Sequence, residues 1–128
     1  MSLKNENPYA ALEKIFHEPS RLAIMSALCA AADGLTFNEI KKQCDLTDGN
    51  LSRHLKVLEE AGSVSIRKAF VKSKPQTTVM LSEKGRASFL EYLKALEEVL
   101  KQAAKGLQLE RKPVSGEVAP GGTAIAEA

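Results

Sequence analysis

The sequence has no Trp, four Phe, two Tyr, two Cys and two His among its 128 residues. So few imidazoles and thiols leave little raw material for metal or acid/base chemistry. Cys29 and Cys44 form no C-x-x-C pair. They read as reduced thiols in the core of a cytoplasmic protein. No apolar run approaches the ~20 residues of a membrane span, and no secretory apolar region follows Met1. A membrane protein and a secreted protein are therefore not expected. Walker, G-x-G-x-x-G, H-E-x-x-H and G-x-S-x-G motifs are all missing. No titratable pair has a spacing that suggests acid/base work, so the chain is read as a non-enzyme with no metal and no cofactor.

What is there suits one globular domain: 44% hydrophobic and 27% charged residues. The net charge of +2 is unevenly placed. Residues 62–86 hold Arg67, Lys68, Lys72, Lys74, Lys84 and Arg86 against Glu83 alone, whereas 1–46, 47–61 and 87–128 each carry a net −1. An acidic partner is expected to touch that one basic stretch.

Helix signals dominate the first half. Asn7-Pro8 predicts a helix from Pro8 to Phe16, and Pro19 opens a second, which Asp33-Gly34 is expected to end. Thr36 and Glu39 form a capping box, with Leu35 and Ile40 as a hydrophobic staple, and the short helix they open ends near Cys44. The staple recurs at Leu46, Thr47 and Leu51, opening a helix that runs to Ala61 with Gly62 beyond it. Two helices joined by about three residues are the signature of a helix-turn-helix.

After Gly62 the period shortens to two. Val64, Ile66, Lys68 and Phe70 alternate with Ser65, Arg67 and Ala69, and Thr77, Val79 and Leu81 return. A β-hairpin is predicted, with the polar stretch from Val71 to Gln76 as its basic, mobile tip. Ser82 caps a last helix, placed at about 83–105, where Phe89, Leu93, Leu96, Leu100, Ala103 and Leu107 step by alternating fours and threes. That stripe, widened by Tyr92 and Val99, has the spacing of a coiled-coil seam. Phe89, Tyr92, Leu93, Leu96, Val99 and Leu100 are therefore read as a homodimer interface, since exposed they would form a costly apolar patch. The domain is placed at 1–111. From Lys112 the chain is rich in Pro, Gly and Ala and is predicted to be a disordered tail.

Three stretches resemble a known family. Pro19-Ser20-Arg21-Leu22-Ala23-Ile24-Met25 is similar to the start of the second helix in ArsR- and MarR-type repressors. The stretch from Leu46 to Gly62 is similar to their recognition helix, which ends in a Leu-Glu-x-x-Gly run. Leu81-Ser82-Glu83-Lys84-Gly85-Arg86 resembles the turn that follows the wing in MarR-like proteins. The likeness covers about residues 8–105. It implies a winged helix-turn-helix, mainly α with a small β-hairpin (α+β) and a long C-terminal dimerisation helix. The implied function is that of a dimeric, DNA-binding transcriptional regulator of the repressor type. Metal-sensing ArsR proteins carry Cys-x-Cys at the helix-turn-helix or His/Asp ligands on the last helix. Here Cys44 stands alone and no His follows His54, so the resemblance stops short of metal sensing. No small-molecule effector site is defined.

The residues support a double-stranded DNA partner independently. On a helical wheel Leu51, Leu55 and Leu58 fall within about 60° and face a core. Gly49, Arg53 and Lys56 then face outward, with Asn50 and Ser52 on the flanks. Thr47, Asp48, Gly49, Asn50 and Ser52 make a small, polar helix start that suits a major groove. Arg53 matches guanine O6 and N7, Asn50 matches adenine N6 and N7, and His54 is placed on the flank as a phosphate donor. Asn38 opens the first helix of the pair and is read as a backbone contact. Arg67, Lys68, Lys72, Ser73, Lys74 and Gln76 are read as wing contacts to a minor groove or its phosphates. The competing reading is a winged-helix module that binds protein and uses its basic wing only for solubility.

Overall fold

The local start and stop signals set most of the element boundaries. A computed structural model describes residues 14–110, with side chains to Gln108. The element order is α1 (Pro19–Cys29), β1 (Leu35–Thr36), α2 (Phe37–Cys44), α3 (Asp48–Glu60), β2 (Val64–Val71), β3 (Lys74–Leu81) and α4 (Glu83–Glu110). The helix expected at Pro8–Phe16 lies mostly outside the described residues, and its described end, 14–16, is turn. The tail expected from Lys112 also lies outside them.

α1 starts as its sequence dictates. Pro19 occupies the first turn, and the Glu18 carboxylate accepts from the Arg21 backbone N–H at 2.9 Å. It stops at Cys29, before the Asp33-Gly34 stop. Gly34 instead serves the entry to β1, with φ of +86°. A Cβ there would lie 2.6 Å from the Val79 carbonyl oxygen, so only glycine permits this approach to β3.

α2 has both halves of its capping box: Thr36 Oγ1 accepts from Glu39 N–H, and Glu39 Oε1 accepts from Thr36 N–H. It ends on Asp45 in the left-handed region, with Leu46 N–H reaching back to Lys41 O. Thr47 caps α3 by accepting from Asn50 N–H. α3 closes in a Schellman motif, with Gly62 at φ +78°, Ser63 N–H on Leu58 O and Gly62 N–H on Glu59 O.

The hairpin differs from its prediction in two ways. β1 adds a third strand, giving an antiparallel sheet ordered β1-β3-β2 with Leu35 opposite Val79. The strands also pair almost to the tip, Val71 opposite Lys74, so the loop is two residues rather than six. Lys72 and Ser73 both have positive φ, 54° and 66°. That is the type I′ turn, whose twist matches a hairpin but which ordinarily selects Asn and Gly. Pro75 fits inside β3 because β1 covers only Thr78 and Val79, so no neighbour needs its missing N–H.

The core joins Phe16, Ile24, Met25, Leu28, Ile40, Leu51, Leu55, Leu58, Val64, Val79, Phe89 and Tyr92. Burying this apolar surface is the main stabilising term, worth about 25 cal/mol per Å². Phe16 packs edge-on against Phe89 at 5.3 Å and Tyr92 at 5.8 Å between ring centroids. Tyr92 also accepts or donates a 2.8 Å hydrogen bond with His17 Nδ1. These contacts correct two dimer-interface expectations: Phe89 and Tyr92 lie inside their own domain. The reason is Phe16 and His17, which claim that side of α4. Leu96 also packs against the core, whereas Leu90 and Leu93 are exposed.

Residues 97–110 continue α4, which is longer than expected. From Glu97 to Gln108 only Val99 is half-buried; Leu100 and Leu107 are 60% and 63% exposed. Cys29, expected in the core, is instead exposed at the last position of α1. Cys44 is half-buried against the core, and burial pushes both thiols up. No described helix is long and apolar enough to cross a membrane.

Candidate nucleic-acid interface

Three leucines decide how α3 is presented. Leu51, Leu55 and Leu58 are buried, which turns Asp48, Gly49, Asn50, Ser52, Arg53 and Lys56 outward, all exposed. Nothing lies within 4 Å of the position a Gly49 Cβ would take. The backbone at the helix start is therefore open to a close approach. Asn50 Oδ1 accepts from Arg53 Nη2 at 2.8 Å. This one-turn pair extends the guanidinium along the helix toward its N-terminal end. Lys41 on α2 binds Asp48 at 2.8 Å. Both groups are exposed, so the pair adds only about 0–1 kcal/mol. Its electrostatic effect is local: it neutralises a carboxylate at the edge that a phosphate would meet.

His54 departs from its expectation. It is 4% exposed and faces inward rather than toward a phosphate. Arg21 Nη1 lies 3.1 Å from His54 Nδ1. A guanidinium can only donate, so Nδ1 is the acceptor of a neutral ring. Burial holds the His54 pKa below its ordinary value, and the charges of Arg53 and Arg21 add to this while Glu18 opposes it. Arg21 Nε also donates to the Ile15 carbonyl at 2.7 Å. Arg21 thus ties the segment before α1, α1 itself and the back of α3 together. An arginine inside the apolar run of α1 is a usable sequence signal for such a tie.

The wing carries the second group. Arg67, Lys68, Lys72, Ser73, Lys74 and Gln76 are all exposed. Asn38 is exposed in the first turn of α2, and an open groove of about 520 Å³ runs between that turn and the wing. Thr36, Phe37 and Asn38 line one side; Val71, Lys74, Pro75, Gln76 and Thr77 line the other. Asn38, Lys74 and Gln76, distant in sequence, thereby share one concavity. The remaining cations of the basic stretch lie elsewhere. Lys84 stands 3.3 Å from the position a Gly62 Cβ would take, at the C-terminal end of α3, where a cation is favoured. Arg86 acts on Cys29. Among the described residues no group of three His, Cys, Asp or Glu could hold a metal ion.

Residues 20–100 match the family described as winged helix DNA-binding domain. The chain belongs to this family. The winged helix domain is 40% identical over 80 residues to an uncharacterized protein of Methanocaldococcus jannaschii, covering 62% of this chain and 86% of that one. It is similar in structure to a transcriptional regulator homologue from Pyrococcus horikoshii, with a TM-score of 0.70 and 31% identity over 77% of this chain and 97% of that one. The transcriptional repressor BigR from Xylella fastidiosa follows the same fold at a TM-score of 0.54 and 29% identity, covering 75% and 89%. The four helices and small antiparallel sheet of the described residues fit the winged helix-turn-helix with a long C-terminal helix that the resemblance implied.

Proposed function

We propose that the chain is a sequence-specific regulator of transcription that binds double-stranded DNA as a homodimer in the cytoplasm. It works by binding rather than by catalysis. The observation that carries this reading is the outward face of α3: an open Gly49 backbone beside a hydrogen-bonded Asn50–Arg53 pair, on a helix anchored from behind by buried leucines. In the major groove that face offers Arg53 to a guanine edge and Asn50 to an adenine edge. Asp48, Ser52 and Lys56 border it, and Thr47 holds the helix start. The wing places Lys72 and Lys74 on an adjoining minor groove or its phosphates, and Asn38 meets the backbone between them. Repression, rather than activation, is drawn from the similar Xylella repressor.

Dimerisation rests on α4. Its exposed apolar residues, Leu93, Leu100 and Leu107, recur every seven residues, with Leu90 beside them and Val99 half-buried. A second copy would cover them, and a two-fold pair would set two α3 helices one DNA turn apart. Of the interface expected at Phe89, Tyr92, Leu93, Leu96, Val99 and Leu100, the proposal keeps Leu93, Val99 and Leu100 and gives up Phe89, Tyr92 and Leu96, which pack within their own domain.

Selection of binding sites from random duplex DNA tests the reading, with sedimentation of the protein alone. The expected result is a palindromic site with half-sites about 10 base pairs apart and a dimer at micromolar concentration. Recovery of no preferred sequence, with salt-independent retention on heparin, would favour a protein-binding module instead.

A further inference from the structure

We infer that Phe70 is an apolar wedge that the wing inserts between base pairs from the minor groove, so that the bound DNA is kinked as well as contacted. This rests on the proposed DNA binding and goes beyond it, since contact by the wing's lysines alone requires no unstacking. Phe70 is 76% exposed, so its own domain gains little from it. By strand register it lies on the same hairpin face as Val64 and Ile66, two steps past Lys68 and directly across from Pro75. Ile66 packs against the core that also holds the α3 leucines. The face that is apolar at the core is thus polar at Lys68 and apolar again at the tip.

The surroundings decide what can cover this patch. Lys68 shares this face by register, while Lys72 and Lys74 stand at the turn just beyond it, Lys74 on the opposite face; all three are exposed. A second copy of this chain would bring like charges together there, whereas a polyanion is attracted. An exposed aromatic ring with a lysine on one side of it and a cationic turn on the other fits a nucleic acid, whose bases offer π-faces between two rows of phosphate. Rigidity also suits a wedge: the ladder pairs Phe70 with Pro75 and Val71 with Lys74, and a two-residue turn follows. Phe and Pro are among the side chains that other proteins use to open a base step from the minor groove.

The test uses the full chain and a duplex recovered by selection, with 2-aminopurine replacing successive adenines outside the α3 half-sites and a fluorophore pair at its ends. With the unaltered protein, 2-aminopurine fluorescence is expected to rise severalfold at one step and the ends to approach. Phe70→Ala should abolish both signals and weaken binding roughly tenfold, with the salt slope unchanged; Phe70→Leu should retain most of the kink. Lys72→Ala with Lys74→Ala should flatten the salt slope by about two units and leave the fluorescence step in the bound complex. An unaltered fluorescence and end distance in Phe70→Ala would overturn the wedge while leaving DNA binding intact. No signal in the unaltered complex, at protein concentrations that saturate the duplex, would do the same. Failure to recover any preferred duplex would instead defeat the proposed function. Because Phe70 is exposed, an unchanged thermal unfolding midpoint is expected to exclude misfolding.

Discussion

α3 and the wing face the same task with opposite constructions. The helix is held from behind, by Leu51, Leu55, Leu58 and the His54–Arg21 contact, and its outer face is small and nearly neutral. The wing has no such backing past Ile66; it stands on its own hydrogen-bonded ladder and ends in cations and an exposed ring. A surface that reads base edges must be placed accurately, so it is built on a packed element. A surface that neutralises phosphates tolerates displacement, because charge acts over the roughly 8–10 Å of the screening length. Substitutions in α3 should therefore change sequence preference, and substitutions in the wing should change salt dependence.

The two regions meet at one point, and the largest effect is expected there. Ser82 Oγ donates to the Gly62 carbonyl at 2.6 Å and accepts from Gly85 N–H at 2.8 Å. This fastens the end of α3 to the start of α4, just after the wing. A Cβ on Gly85 would lie 1.9 Å from the Ser63 carbonyl oxygen, which is backbone and cannot turn away. Gly85→Ala should therefore destabilise the fold by about 3 kcal/mol or more, visible as a lower urea midpoint with unchanged slope. If its stability matched that of the unaltered protein, the two regions would not share a rigid root.

Arg53→Ala comes next and sharpens the contrast. It should cost about 1–3 kcal/mol of specific binding and relax preference at one base position, leaving the salt slope nearly intact. Lysine substitutions in the wing should do the reverse. Competition titrations against single-base variants of a selected site, at two salt concentrations, separate the two behaviours. A uniform loss over all variants would place Arg53 on a phosphate.

Behind α3 the effect is on stability and depends on pH. The folded pKa of His54 lies below its ordinary value of 6.5, chiefly through burial. As pH falls through 6.5 the unfolded chain takes up a proton first, so stability present at neutral pH declines until the folded ring also protonates. Burial raises the Glu18 carboxyl, but the hydrogen bond from the Arg21 backbone N–H and the Arg21 guanidinium outweigh it and hold the group below its ordinary value. Its contribution is lost only below the ordinary carboxylate range, outside this window. Urea midpoints from pH 8 to pH 5 should therefore fall toward acid, and His54→Gln should flatten the curve. An acid-independent midpoint would mean that His54 is not held buried and neutral behind α3 in solution.

How much of this was legible depends on how local the signal was. The caps of α2 and α3 involve side chains three residues apart, and Thr36, Glu39 and Thr47 announced them without tertiary information. The exposed face of α3 followed from its leucines. His54 was also readable: it stands three residues after Leu51 and four before Leu58, inside the apolar stripe. β1 was not readable, because two residues become a strand only by pairing with Val79, over forty positions away. The inward Phe89 and Tyr92 were hidden for the same reason. A heptad stripe states that something covers it, and Phe16 and His17, far earlier in the chain, supply the cover.

The wing turn differs from its expected open loop for a chemical reason, and that reason carries the smallest prediction. Lys72 and Ser73 occupy left-handed conformations, where a Cβ crowds the following carbonyl at a cost of about 1 kcal/mol each. Asn and Gly avoid that cost, so their absence made the stretch look like an open loop. The tip keeps a lysine at a position that stability alone would give to asparagine. Replacing Ser73 by Gly should stabilise the domain by about 0.5–1 kcal/mol and leave the salt slope of DNA binding unchanged, since no charge is lost. Replacing Lys72 by Asn should also stabilise it while flattening the salt slope by about one unit. Stability and binding would then move in opposite directions at Lys72 and not at Ser73, the outcome expected if the tip is shaped by its partner rather than by the fold.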